Sequence, residues 1–294
     1  DVADVGEILA DAARPIDPDP PVLLELGAVH EDAVDGTTVD PLEPLPHDVV
    51  VGLMGPVSIR SADGTAGTFE RSKTVELIAW LAPHRDRSTR AAARTALWEM
   101  DVRDATFANL VSEARRGLGR LVAPPDGEEW LARTLNESLP LHDRVVTDAD
   151  LIAQRVDHAR LAPQAHAVDA LRPAVEMIRD LPFAGTGYLW PDADGITSSL
   201  VLLATTAAAE LAGHALSMGD TDLVFWATGQ GLKVLPGHEE LIGLRMRAHA
   251  RSGDLAGVRQ EWESYERVIM SDAWSDGEPA PKLLDLRREL LTSP

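Results

Sequence analysis

The chain has 294 residues, 45% of them hydrophobic, so it is long enough for about two domains and can bury a full core. It has no cysteine, which excludes disulfides and thiolate metal sites and fits a reducing compartment. Its formal net charge is −21, and no continuous run of about 18 apolar residues marks a membrane span.

The charge is uneven. Residues 1–48 carry 13 acids against the single base Arg14, residues 49–147 balance 13 acids with 13 bases, and residues 148–294 carry 22 acids and 13 bases. The first residue is Asp1 rather than Met, which points to a piece of a longer chain, and the acidic start has none of the basic character of a signal peptide.

Residues 1–48 read as an acidic linker. "RPIDPDPP" (14–21) and "DPLEPLPHD" (40–48) are rich in Pro and Asp, which extends and solvates a chain. Between them "PVLLEL" (21–26) has the apolar content of a short strand. "DVVVGLMGPVSIRSADG" (48–64) predicts two strands separated by a Gly-Pro break and closed by an Asp-Gly turn. A first helix starts near Phe69, with Val75, Ile78, Ala79 and Ala82 at helical spacing and Pro83 near its end. "RSTRAAARTALWEM" (87–100) is a second helix capped by Ser88 or Thr89, with Ala93, Leu97 and Met100 as apolar positions.

"ATFANLVSEARRGLGRLV" (105–122) is the third helix. Phe107, Leu110, Val111, Ala114 and Leu118 fall at i, i+3, i+4, i+7 and i+11, one stripe that must face a core. Asn109, Ser112, Glu113, Arg116 and Arg120 are left outside, and Arg115, close to the stripe, is placed to pair internally. "EWLARTLNESLPL" (129–141) then alternates as a hairpin does, with Asn136 and Glu137 at its turn. Two strands, three helices and a hairpin are the order of a winged helix, whose third helix is the one offered to a major groove.

From Thr147 onward only helices are predicted, at about 148–162, 165–180, 197–218, 221–234, 238–252, 255–271 and 280–292. "LSMGD" ends at Asp220 and "ARSGD" at Asp254, and these Gly-Asp pairs lie 34 residues apart, the tetratricopeptide period. The expected fold class is therefore mainly α with a small β component: a winged helix-turn-helix domain over 49–147, then an all-α tetratricopeptide-like domain over 148–294. "TSSLVLLATTAAAELAGHAL" (197–216) is apolar nearly all round, as a helix buried among neighbours is, and it contains Glu210.

The segments "VGLMGPVSI", "ALWEMD" and "LVSEARRGLG" resemble the winged helix of actinobacterial antibiotic regulatory proteins. "LPFAG", "GLKVLPGHEELIGLRMRAHARSGDLAGV" and "PAPKLLDLRREL" resemble the bacterial transcriptional activator domain that follows it in that family. The likeness covers about residues 49–292. It implies a transcriptional regulator whose winged helix binds direct repeats in promoter DNA. The helical domain would support dimerisation and contact with protein partners of the transcription machinery. Some relatives carry this pair of domains behind membrane helices and peptidoglycan-binding modules. That layout implies an alternative, a cytoplasmic adaptor with a degenerate winged helix, reaching a membrane only through an upstream region. In the family, the position held here by Glu113 is often basic, and a carboxylate facing phosphates would weaken binding.

Arginine offers phosphates and guanine edges a fixed fork of donors. The candidate DNA-binding residues are Arg85, Arg87, Arg90 and Arg94 around the second helix, Asn109, Ser112, Arg116 and Arg120 on the third, and Arg133 in the hairpin. The competing assignment is a solvated face with ion pairs to Glu99, Asp101, Asp104 and Glu113. Trp226 and Trp262, one per repeat unit, are candidates for a partner groove or for packing between units.

No enzyme motif stands in the sequence. A Gly-rich phosphate loop with Lys and Ser or Thr is missing, as is a G-x-S-x-G elbow. "GTG" (185–187) falls in a loop between helices rather than after a strand. His238 in "GHEEL" has no second histidine four residues on, and His158 and His166 are separated by Pro163. Neither a cofactor nor a metal site is expected.

Overall fold

Val49–Gly52 (β1) and Ser58–Ser61 (β2) pair antiparallel, with Val49 opposite Ser61 and Gly52 opposite Ser58. In the computed structural model, residues 42–134, 136–271 and 277–292 are described. The strand expected at 21–26 and nearly all of the acidic linker lie outside the described residues. A third strand, Val145–Thr147 (β3), pairs parallel to β1 and gives the order β2-β1-β3. Val49 and Val51 of the central strand are fully buried, as alternate residues on one sheet face should be.

The first helix runs over Ser72–Leu81 (α1), three residues later than Phe69. Phe69 lies instead against Gly117, where a Cβ would come 2.5 Å from its ring. The second is split. Arg85–Arg87 form a 3-10 turn, and Arg90–Leu97 form α2, capped by the Thr89 hydroxyl, which accepts from Ala92 N at 3.1 Å. Met100 falls beyond the end of α2 and is exposed, so it takes no part in the core. Asp104–Leu121 form α3, and the whole predicted stripe, from Phe107 to Leu118, is buried.

Glu113 departs from its expected place. It is buried, 3.5 Å from Arg71, and does not face outward toward phosphates. The predicted hairpin is reduced to a loose pairing. Leu131 bridges Leu141, Ala132 N donates to Pro140 O and His142 N donates to Trp130 O. The returning arm then crosses to the segment before α2, where Leu139 N donates to Ser88 O and Arg90 N to Glu137 O.

Thr147 ends β3 and caps the next helix with no linker between. Its hydroxyl accepts from Asp150 N, and the Asp150 carboxylate accepts from Thr147 N, a reciprocal box. The helices that follow are Asp148–Leu161 (α4), Gln164–Glu176 (α5), the single turn Trp190–Ala193 (α6), Ile196–Met218 (α7), Thr221–Val234 (α8), Glu239–Arg251 (α9), Leu255–Ser271 (α10) and Pro281–Thr292 (α11). The short α6 had no periodicity to announce it.

The two Gly-Asp pairs build the same turn. Gly219 and Gly253 both take positive φ, 80° and 72°, which glycine adopts without strain. Asp220 then accepts from Leu223 N at 3.0 Å, and Asp254 from Gly257 N at 2.9 Å, so each carboxylate starts the second helix of its hairpin. α7 is long and apolar enough to cross a membrane by length and composition alone. Here it packs against α5, α8 and α9, with Ala204, Ala207, Ala208, Leu211, Ala212 and Ala215 fully buried.

Gly231 of α8 marks the tightest crossing. A Cβ there would come 2.6 Å from Leu241 Cδ1 and 2.8 Å from the Ala208 Cβ, which is fixed to its backbone. Gly231→Ala should therefore destabilise. Overpacking costs about 1–3 kcal/mol, against about 1 kcal/mol gained in helix propensity, and thermal melting should show a lower midpoint.

The winged helix and the helices share one core. Residues 39–294 form a single compact unit, and one cluster of buried apolar side chains runs from Val49 to Ala248. Two polar clamps close the seam between them. In the first, buried Asp148 accepts from Leu53 N at 2.8 Å and from Met54 N at 3.0 Å, while Arg179 N donates to Met54 O at 3.0 Å. In the second, buried His84 stacks on Trp80 and meets the edge of Trp190, with Nε2 3.1 Å from an Asp194 carboxylate oxygen.

Candidate nucleic-acid interface

With the apolar stripe of α3 turned inward, its opposite side carries Asn109, Ser112, Arg116 and Arg120. All four are exposed, and among the described residues none has an ion-pair or hydrogen-bond partner for its side chain. That is the geometry an amphipathic helix gives when one side is committed to a core: the residues left over can meet an external ligand. Ser112 and Arg116 also line a groove of about 390 Å³ shared with Arg133, Glu128 and Glu129.

Arg115 turns the other way. Its Nε donates to Leu131 O at 2.6 Å and its Nη2 to Ala132 O at 3.3 Å, with Glu129 at 3.6 Å. Burial pushes its pKa down, Glu129 opposes that, and the nearby Arg133 and Arg90 add to it. Arg115 thus fastens the wing to α3. Trp130 does the same from the wing side: it is buried, and its indole N–H donates to Val122 O at 2.8 Å. Arg133 stands at the wing, largely exposed, 3.2 Å from Glu129.

The expected clamps around the second helix are mostly used within the molecule. Arg85 reaches the carbonyls of Leu141, His142 and Val145, holding the returning arm and β3. Arg87 lies 3.2 Å from Asp194 of the helical part. Arg94 pairs with Asp104 and sits over the Phe107 ring at 5.1 Å. Arg85 and Arg87 have structural partners because a short polar turn between packed elements must satisfy its own charges and nearby carbonyls, while Arg94 on α2 meets the first residue of α3. Arg90 alone of that group has no ion pair among the described residues.

The chain is similar in fold to Mycobacterium tuberculosis EmbR. That protein was solved in complex with a low-affinity phosphopeptide. The TM-score is 0.62 at 21% identity, over 83% of this chain and 65% of the EmbR chain. At that identity the likeness is one of fold: a winged helix followed by a helical domain. The chain thus spans about two thirds of the EmbR length. No protein-family model matches it, and no curated protein does.

The paired tryptophans do not form one groove. Trp262 is buried, between Tyr265 at 5.7 Å and the Arg287 guanidinium at 4.7 Å. Trp226 is half-buried at the edge of the other core cluster, with Arg172 over its ring. Packing between helices occupies both, as large aromatic areas favour. Among the described residues no group of three or more His, Cys, Asp or Glu stands together as a metal site would. Sequence reasoning missed His84 and Asp148, two buried polar side chains of the seam. A lone His before a 3-10 turn and an Asp at a helix start give no local sign of a partner about a hundred residues away.

Proposed function

We propose that this protein is a transcriptional regulator whose winged helix binds duplex DNA in the cytoplasm. α3 enters the major groove, with Arg116 and Arg120 reading phosphates or guanine edges and Asn109 and Ser112 beside them. The observation that carries this reading is the exposed side of α3, whose guanidinium groups have no partner in the described chain. The wing contributes Arg133, and Arg90 supplies a phosphate contact at the start of α2. The helical domain serves dimerisation or protein contact.

The test is fluorescence anisotropy with labelled duplexes, from low salt upward. The wild type should bind with a log–log salt dependence set by its phosphate contacts. Arg116→Ala should weaken binding by about 1–3 kcal/mol if the side chain reads a guanine, with relaxed sequence preference. If it neutralises a phosphate, the salt slope should fall by about one. The alternative is a protein-interaction adaptor. It is favoured by the engagement of Arg85, Arg87 and Arg94 inside the molecule. Absence of binding to any duplex at low salt would select it.

A further inference from the structure

Away from the residues assigned to DNA above, β1 and β2 meet the ends of α4 and α5 around a cavity of about 450 Å³ that no α3 residue lines. Three arginines line it: Arg60 from β2, Arg155 from α4 and Arg179 just past α5. Arg60 Nη2 and Arg179 Nη1 both donate to the one Ser58 hydroxyl, at 3.2 and 3.3 Å. Two guanidinium groups are thus held against a single neutral oxygen. Arg179 Nη2 is buried with no hydrogen-bond partner, at 3.6 Å from the nearest Asp148 oxygen. Arg155 has no ion pair among the described residues.

The acids at this cavity offset that charge at Arg179 but not at Arg60 or Arg155. Asp148 lies 3.6 Å from Arg179 while it accepts from the backbone N–H groups of Leu53 and Met54. Glu176 is exposed and pairs with none of the three arginines. Burial holds the Arg155 and Arg179 guanidinium groups below their usual range; for Arg179 the Asp148 carboxylate opposes this and the charge of Arg60 adds to it. Gly52 permits the crowding: a Cβ there would lie 2.4 Å from Arg179 Nη2. Guanidinium groups brought together at one cavity repel one another, a costly arrangement unless an anion joins them. The remaining walls, Leu151, Pro173 and Met177, are apolar, and the volume suits a small organic molecule.

We propose that this cavity binds a small phosphate monoester, its phosphate between Arg60, Arg155 and Arg179 and its organic part against Leu151 and Met177. Because β1 and β2 belong to the winged helix and α4 and α5 to the helical domain, the ligand bridges the two. The test is isothermal titration of the DNA-free protein at fixed ionic strength, with phenyl phosphate and inorganic phosphate as probes. Phenyl phosphate should bind saturably and more tightly than inorganic phosphate. Arg155→Ala removes no side-chain hydrogen bond or ion pair among the described residues, so it should melt close to the wild type, yet bind phenyl phosphate about tenfold more weakly. Failure of both anions to bind, or equal binding by Arg155→Ala, would overturn the site. Equal affinity for the two probes would overturn its organic half. None of these outcomes depends on whether α3 binds DNA.

Discussion

Asp148→Ala is expected to lower folding stability by about 3 kcal/mol in mildly acidic solution, with urea denaturation as the measurement. The carboxylate accepts from two backbone N–H groups, those of Leu53 and Met54, and both residues are buried. Each donor left without a partner costs about 1–3 kcal/mol. Arg179, nearly a third exposed at its side chain, recovers part of its loss by hydration, which keeps the total below that of a fully buried ion pair. Asp148→Asn keeps one acceptor and should lose less.

The pH dependence has a definite sign. Burial raises the Asp148 pKa, against the pull of the Leu53 and Met54 amides and Arg179. A carboxyl whose folded pKa lies above its unfolded value contributes its full stability below about pH 3.9 and loses it as pH rises through the folded value. The gap between wild type and Asp148→Ala should therefore narrow from acid toward neutrality. A gap that widens with pH would show that the hydrogen bonds outweigh burial.

Trp130→Ala should cost about 3–5 kcal/mol, the usual range for removing a buried Trp. Its ring is 1% exposed and meets His142 edge-on at 5.1 Å, and its N–H satisfies Val122 O at the end of α3. Trp130→Phe keeps most of the apolar area and loses the bond, so it should recover more than half of the loss. The wing is joined to the rest by only a few bridges, so Trp130→Ala should also expose residues 129–142 to amide exchange before the rest of the winged helix. A melting midpoint unchanged from wild type would mean that Arg115, Arg85 and the backbone bonds to Ser88 and Arg90 hold the wing without the indole.

The helices were legible because periodicity and stop signals agreed. The Gly-Asp pairs set two turns through a local φ requirement and a local cap, both properties of adjacent residues. The stripe on α3 was legible for the same reason. What escaped was non-local. Glu113 was assigned outward because it is charged, yet its place beside Ala114 and one turn before Gly117 turns it toward Arg71, a residue far away in sequence. β3 is only three residues long, and its partner β1 lies nearly a hundred residues earlier. The arginines near α2 were read by type, while their use depended on carbonyls and a carboxylate brought up by other elements. Asn109, Ser112, Arg116 and Arg120 are exposed as the stripe predicts, and among the described residues no other element covers them.

The two clamps at the seam bear on how a pair of these chains would measure distance. Asp148 ties the segment after β1, and His84 the segment after α1, to the helical domain, so α3 has little freedom to swivel against it. If two copies associate through their helical domains, their α3 helices are held at one separation and one rotational phase, like marks on a ruler. Neighbouring operator copies would then be tolerated only at intervals of about one helical repeat, roughly 10–10.5 base pairs or its multiples.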